Sequence, residues 1–136
     1  MRITRELYDE MIAHARQEAP NECCGMVGAS TSDSQAVAVY RARNAEASPL
    51  RFRIDPDEQL DLHNRIEDAG LELGAIYHSH TRTAPYPSQT DINFAANWPG
   101  VEWIIVGLAG GEPPLVRSYL ITEGEVEEVR LQETKD

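Results

Sequence analysis

A short apolar segment that ends in two histidines constrains this chain more than any other feature. Residues 73–77 predict a buried strand, and the sequence continues directly into His78-Ser79-His80. Alternate side chains of a strand point to the same face, so both imidazoles should project together. Asp91 follows eleven residues after His80, at the predicted start of the next element. The chain is therefore expected to fold so that a strand end and an element start bring three metal-binding side chains together.

Two histidines and one carboxylate, with a fourth position left to water, are the ligands of a hydrolytic zinc site. A His-x-His pair by itself is weak evidence, because either imidazole can also be a satisfied core residue or a capping donor. Two further residues strengthen the metal hypothesis. Ser88 precedes Asp91 by three residues, and Glu22 lies far upstream, just ahead of a predicted strand. Together these five positions define the candidate site.

Length and charge narrow the class of protein. The chain has 136 residues, which suits one domain spanning 1–136. Its net charge of −11 argues against nucleic acid or an anionic membrane as a partner. Solubility is the main explanation for this charge. A protein partner, if there is one, would more readily present a basic face. No stretch approaches the roughly 20 apolar residues of a membrane span, and the N-terminus has no apolar signal-peptide core. A cytoplasmic protein is therefore expected.

The two cysteines, Cys23 and Cys24, are adjacent in the sequence. Vicinal cysteines rarely pair with each other because the short link strains disulfide geometry, so a reducing compartment fits. Metal ligation or redox activity stays open for these thiols. A cysteine in the strand that follows Glu22 is, however, more simply a small buried hydrophobe. Tyr77 and Trp103 are assigned to the core in the same way.

The hydrophobic pattern predicts a mixed α/β fold, with a sheet flanked by helices. Thr4 is the expected N-cap of a first helix that ends before Pro20, and Asp55 begins a second helix that Gly70 stops. Leu60, Ile66 and Ala69 are expected on or near the apolar face of the second helix. A short third helix should begin at residue 88 or 90 and end near 98. Strands are predicted over 24–29, 36–40, 51–54, 71–80, 101–108, 115–122 and 126–131.

The candidate residues resemble the JAMM (MPN+) family of zinc metallopeptidases, whose pattern is a distant Glu followed by His-x-His-x7-Ser-x2-Asp. Every fixed position of that pattern is filled here. The resemblance implies that His78, His80 and Asp91 bind zinc. It also implies that Glu22 is the general base and that Ser88 supports the oxyanion, within a curved mixed β-sheet of the cytidine-deaminase-like type. The alternatives are an ordinary surface carboxylate at Glu22 and a helix N-cap at Ser88.

The spacing of the motif also bears on the substrate. Only seven residues separate His80 from Ser88, which resembles the minimal prokaryotic type of JAMM protein without ubiquitin-gripping insertions. The resemblance implies a peptidase acting at the Gly-Gly tail of a ubiquitin-fold protein, above all a sulfur carrier from which cysteine or another adduct is released. An isopeptidase that removes ubiquitin-like modifiers from lysines is the nearest alternative. A non-catalytic scaffold is the alternative of another class.

The loop between the ligands is stiff and aromatic. Tyr86 lies between Pro85 and Pro87, so it is a candidate substrate contact at the mouth of the site. A simple rigid loop explains the same residues equally well. The sequence leaves open the carrier, the leaving group and the oligomeric state, a homodimer included.

Overall fold

A six-stranded mixed β-sheet forms the centre of the computed structural model, which describes residues 1–135. Helices cover both faces of this sheet, and a separate pair of short strands joins the two ends of the chain. In chain order the elements are β1 (Arg2–Thr4), α1 (Arg5–Glu18), β2 (Cys24–Ala29), β3 (Ala36–Ala42), α2 (Pro56–Asp68), β4 (Glu72–His80), α3 (Gln89–Ala95), β5 (Glu102–Gly107), β6 (Leu115–Thr122), β7 (Glu125–Val129) and β8 (Gln132–Thr134). The architecture confirms the predicted α/β fold class.

Strand β4, which carries the two histidines, lies in the interior of the sheet. The strand order is β3-β2-β4-β5-β6-β7. β4 pairs antiparallel with β2 and parallel with β5, and the remaining neighbours are antiparallel. Cys24 on β2 and Ile105 on β5 are the register partners of His78. Because neighbours pair with β4 on both sides, its backbone is fixed up to the residues that form the candidate site.

The side chains of β4 alternate between two hydrophobic cores. Tyr77 packs toward α1, in a core that includes Met11. Ile76 packs toward α2 and α3, in a core that includes Ile66. The ring of His78 contacts aromatic residues of this second core, so the histidines face α2 and α3. One face of the sheet is thus purely structural at β4, and the other carries the candidate site.

The first two helices begin and end close to where the sequence predicts, whereas α3 begins as predicted after Ser88 but ends at Ala95 rather than near residue 98. The Thr4 hydroxyl accepts a hydrogen bond from the Leu7 N–H at 3.3 Å, which caps α1. The Asp55 carboxylate accepts from the Asp57 N–H at 3.3 Å and precedes a proline at the first position of α2. Gly70 ends that helix with a positive φ of 76°. No helix within residues 1–135 is both long and apolar enough to cross a membrane.

The strand predicted over 51–54 is wrong. The alternation that suggested it is real, because Phe52 and Ile54 are buried while their neighbours are exposed. The backbone, however, forms only a single bridge, between Ile54 and Asn44. An alternating pattern reports which side chains are buried, and here a loop that folds back on itself produces it without a ladder of hydrogen bonds.

Two other details correct the sequence-based expectation. The buried face of α2 is formed by Leu62 and Ile66, whereas Leu60 is 62% exposed and Ala69 is also exposed. The parallel pair of β1 and β8 was not predicted. Each of these strands has only three residues, and they are brought together from opposite ends of the chain, so no local pattern identifies them.

Candidate metal centre

The end of β4 and the start of α3 bring His78, His80 and Asp91 together in the interior. The two Nε2 atoms are 3.1 Å apart, and the Asp91 Oδ2 lies 3.1 Å from the first and 3.3 Å from the second. Ligand atoms held at about 2.0–2.1 Å around a tetrahedral metal ion are separated by roughly 3.3 Å. All three side chains are buried. Their spacing therefore fits a single small metal ion bound by three protein atoms.

A backbone carbonyl sets the orientation of the His80 ring. The Nδ1–H of His80 donates to the Ala84 carbonyl oxygen at 2.8 Å, and a carbonyl can only accept. In the neutral imidazole the lone pair then lies on Nε2, the atom that faces Asp91 and His78. Segment 81–87, called the ligand loop below, thus prepares this nitrogen to bind a cation.

The start of α3 fixes the position of Asp91. Its Oδ2 accepts from the backbone N–H of Ser88 at 2.9 Å, and the Ser88 hydroxyl accepts from the backbone N–H of Asp91 at 3.2 Å. This reciprocal pair is a capping box, so the N-cap expected of Ser88 is present. The Ser88 hydroxyl uses an oxygen lone pair in this bond, and its hydrogen stays free for another partner.

The ring of His78 is held by packing. Phe52 stacks on it with ring centroids 4.5 Å apart, and Trp103 meets it edge-on at 6.5 Å. Its Nδ1 is buried and has no hydrogen-bond partner among residues 1–135. A buried polar atom without a partner is costly, and native structures contain few of them. The packing leaves only Nε2 of this ring with polar neighbours.

The charges at the site favour a cation. Burial alone would raise the pKa of Asp91, but the charge of His78, hydrogen bonds from both histidines and the Ser88 N–H hold this pKa well below its usual value. Burial lowers the pKa of His80, and its bonds to Asp91 and Ala84 reverse this shift, so the net change is upward. The site thus keeps a carboxylate ionised and stabilises positive charge beside it.

Glu22 lies beside this triad, immediately before β2. Its side chain is buried, and one of its oxygens lies within 4.8 Å of a nitrogen of each histidine. Burial raises its pKa to about 8, which the charge of His80 opposes and that of Asp91 reinforces. The two histidines therefore belong to two overlapping sets of possible metal ligands, one completed by Asp91 and the other by Glu22. The Asp91 set has the tighter geometry, because Glu22 makes no hydrogen bond or ion pair with either histidine within residues 1–135.

Tyr86 lies on the surface of the ligand loop. Its side chain is 55% exposed, and its ring meets that of Tyr119 edge-on at 5.5 Å. The Tyr119 hydroxyl donates to the Pro85 carbonyl, and Pro85 packs closely over Gly107 of β5. The loop is therefore anchored to the sheet, and Tyr86 is held outward on a rigid support.

The surroundings of Cys23 and Cys24 indicate a structural role for both residues. Both are free and buried, and burial raises the pKa of the Cys23 thiol to about 12. The Cys24 thiol shifts in the same direction for the same reason. Ser79, between the two histidines, points to the other face of β4, where its hydroxyl accepts from the Cys23 N–H at 2.8 Å. These thiols lack the depressed pKa that makes a cysteine reactive.

Sequence analysis missed Asn44, a buried residue that ties segment 43–54 to the base of the site. Its amide nitrogen donates to the carbonyls of Glu22 and Arg51, both at 3.0 Å. Its amide oxygen accepts from the N–H groups of Glu46 and Arg53 at 3.0 and 3.2 Å. The same segment carries the phenylalanine that stacks on the first histidine. No sequence signal separates this asparagine from an ordinary turn residue.

We expect Asn44→Ala to destabilise the fold by roughly 2–4 kcal/mol, because it leaves several buried backbone groups without partners. Urea unfolding monitored by tryptophan fluorescence measures this effect. Asn64→Ala is the matched control, since Asn64 is an exposed asparagine of α2. A loss in Asn44→Ala no larger than in the control would contradict the role assigned to this amide.

Fold and site together define an α/β fold in which potential metal ligands converge at the junction of a strand and a helix. The chain belongs to the family of prokaryotic homologs of the JAB domain, which its residues 4–122 match. Over 126 residues it is 36% identical to the CysO-cysteine peptidase of Mycobacterium tuberculosis, and the aligned region covers 93% of this chain and 86% of that protein. The match confirms the JAMM resemblance and its minimal prokaryotic type.

Two further relatives and two solved structures agree with this assignment. A desampylase of Haloferax volcanii is 32% identical over 76% of this chain and 77% of its own length. A probable TtuB-protein conjugate cleaving protease of Thermus thermophilus is 34% identical over 90% of this chain and 77% of its own length. A solution structure from Desulfitobacterium hafniense, 32% identical, superposes with a TM-score of 0.88 over 99% of this chain and 93% of that one. A JAB1/MPN domain protein from Archaeoglobus fulgidus, 21% identical, shares the fold with a TM-score of 0.67 over 99% of this chain and all of that one.

Proposed function

We propose that this protein is a zinc-dependent peptidase that hydrolyses a bond at the C-terminal tail of a ubiquitin-fold or sulfur-carrier protein. The observation that carries the proposal is the convergence of His78, His80 and Asp91 at 3.1–3.3 Å, with a buried carboxyl beside them. Two imidazoles and one carboxylate form the ligand set of a catalytic zinc site, in which the fourth position is left open. The names of the relatives support hydrolysis as the reaction class.

The chemistry of the donors supports zinc over magnesium or calcium. Imidazole nitrogens suit zinc, whereas magnesium and calcium select oxygen ligands. Zinc bound here supplies Lewis acidity, which lowers the pKa of a coordinated water and polarises the carbonyl of the scissile bond. The anionic Asp91 and the Nε2 lone pair of His80 are prepared for that ion by Ser88 and Ala84.

Glu22 is assigned the proton transfers. It lies next to the ligand set without belonging to the tighter triad, which suits a group that holds the attacking water. Burial raises its pKa to about 8, whereas a nearby cation would lower this value, so the carboxyl can change protonation near neutral pH. It takes the proton from the attacking water and passes it to the leaving amine. The free hydroxyl hydrogen of Ser88 is assigned to the carbonyl oxygen as that oxygen gains negative charge.

The substrate class is proposed from the relatives. The name of the mycobacterial protein describes cleavage of a CysO–cysteine adduct, and that of the Thermus protein describes cleavage of a protein conjugate. The present chain covers most of the length of both. The mycobacterial protein matches at the higher identity, so release of a single residue such as cysteine from a carrier with a Gly-Gly tail is the leading assignment. Cleavage of an isopeptide-linked conjugate is the second candidate.

A comparison of three substrates tests this assignment. The zinc-loaded enzyme is given a ubiquitin-fold carrier with a C-terminal cysteine after Gly-Gly, the same carrier joined to a lysine side chain, and an unstructured peptide with the same tail. We expect the cysteine adduct to be cut most efficiently, with mass spectrometry reporting the bond. Preferred cutting of the lysine conjugate would favour the isopeptidase. Equal cutting of the peptide would contradict both, and no cutting of any substrate would favour a non-catalytic scaffold.

A further inference from the structure

Only some of the arginines of this protein form ion pairs with carboxylates among residues 1–135. Six of the eleven form ion pairs with carboxylates, and Arg65 lies over the ring of Tyr40. Four others make no ion pair within residues 1–135: Arg43, Arg51, Arg82 and Arg130. Three of these four lie on segment 43–54 or on the ligand loop. The net charge of the chain is −11, so carboxylates are abundant, yet the two segments around the candidate site keep arginines that no carboxylate among residues 1–135 neutralises.

These two segments adjoin each other at the site. The Thr81 hydroxyl donates to the Pro20 carbonyl at 2.9 Å and lies 3.4 Å from that of Pro49. On their inner side the segments hold the ligands, because Phe52 stacks on one histidine and Ala84 orients the other. The exposed residues of the same segments consequently lie on the outer side of the two segments that hold the ligands.

Exposed apolar side chains occur on the same segments. Five large hydrophobic residues are exposed among residues 1–135, and two of them, Leu50 at 63% and Tyr86 at 55%, belong here. Leu50 directly precedes the exposed Arg51, and Arg82 directly follows the threonine that joins the segments. Protein interfaces combine aromatic or apolar anchors with arginine in this way, whereas isolated exposed residues of either kind carry little meaning.

We propose that Leu50, Arg51, Arg82 and Tyr86, here called the entrance patch, dock the folded body of the carrier. The occupant is a ubiquitin-fold domain that presents an apolar spot flanked by carboxylates close to its C-terminal tail. This inference rests on the proposed function and adds to it which face of the carrier is recognised. The acidity of the whole chain favours a basic partner, but the local charge beside the site is the opposite and selects an acidic one.

Charge reversal at the patch tests the proposal. The substrates are the folded carrier with its C-terminal cysteine and a peptide of its last residues bearing the same adduct. In low salt, Arg51→Glu and Arg82→Glu should lower kcat/KM for the carrier about tenfold more than for the peptide, mainly through KM, since a charge near an interface steers association. The preference of the unsubstituted enzyme for the carrier should shrink with added salt. Arg130→Glu is the matched control and should leave the ratio unchanged, because Arg130 is an exposed arginine outside both segments whose carbonyl accepts from the N-terminal amine.

Apolar substitutions provide a second arm. Leu50→Ser should reduce carrier cleavage more than peptide cleavage, whereas Val37→Ser, at an exposed valine of β3, should not. Zinc content and thermal unfolding show that each variant is intact. If both substrates are cut and no patch variant changes the ratio of their kcat/KM values, the docking role of the entrance patch is contradicted while the proposed function stands. If neither substrate is cut by the zinc-loaded enzyme, the proposed function fails. A patch that instead binds a DNA oligonucleotide, or whose charge reversal dissociates a dimer, would overturn the assignment of a carrier.

Discussion

A Glu22→Gln variant is expected to keep its fold and its zinc and to lose turnover by about 100- to 10,000-fold. Glutamine has nearly the shape of glutamate but cannot accept a proton, and a positioned general base contributes about this much to a rate. The substitution also removes a buried carboxyl whose pKa burial raises to about 8. In the metal-free protein this carboxyl is costly to ionise, so the stability of the original protein should fall as the pH rises from the ordinary pKa of a glutamate to about 8, and the variant should not show this loss.

Elemental analysis, thermal unfolding and steady-state kinetics on the carrier substrate together check this expectation. Glu72→Gln is the matched control, because Glu72 is an exposed glutamate at the opposite end of β4. It should retain full activity. Near-normal turnover in zinc-loaded Glu22→Gln would show that another group transfers the proton, and a loss of zinc from this variant would show that Glu22 is a metal ligand.

The residues that converge at the candidate site could be predicted from the sequence because local rules position most of them. The alternation of a strand puts His78 and His80 on one face. The pattern Ser88-x-x-Asp91 is also a capping box, so the residues that begin α3 are the residues that hold the carboxylate in place. The short-range physics of a strand end and a helix start thus brings three of the side chains near each other.

Long-range contacts explain what the sequence did not reveal. Asn44 resembles a turn residue until its bonds to the carbonyl of Glu22 and to its own segment are seen. Tyr77 was correctly assigned to the core, but its hydroxyl meets the Nδ1 of His14 at 2.7 Å across 63 residues of sequence. The strand expected over 51–54 failed for a related reason, since burial on one side does not specify a partner strand. Such partners depend on the completed fold.

Net charge is another quantity that a sequence reports only as an average. A value of −11 favours a basic partner when it is spread evenly over the surface. The charge is unevenly distributed in the structure. Most arginines away from the site pair with carboxylates, whereas Arg51 and Arg82 beside it form no ion pair with any residue of the described part, 1–135. The partner that approaches the site meets the local charge, which is why the entrance patch reverses the expectation drawn from composition.

Removal of one ligand should abolish both metal binding and activity. The purified protein is expected to hold about one zinc per chain, and His80→Ala is expected to lose it together with all measurable turnover, since two remaining ligands cannot complete a stable site. Zinc that binds only the folded state stabilises it. A chelator should therefore lower the Tm of the original protein and leave that of His80→Ala unchanged.

The design of this experiment separates ligand loss from damage to the core. His80 is a better choice than His78, because the latter is fully buried under Phe52 and its removal would leave a cavity. Asp91→Asn offers a second variant of nearly unchanged shape that keeps an acceptor for the Ser88 N–H. His63→Ala is the matched control, because His63 lies on α2, where its Nδ1 is 3.4 Å from a carboxylate oxygen of Glu67. If a protein prepared without chelators contains no zinc, and added zinc restores neither a Tm shift nor activity, then the triad is a structural cluster and the peptidase assignment falls with it.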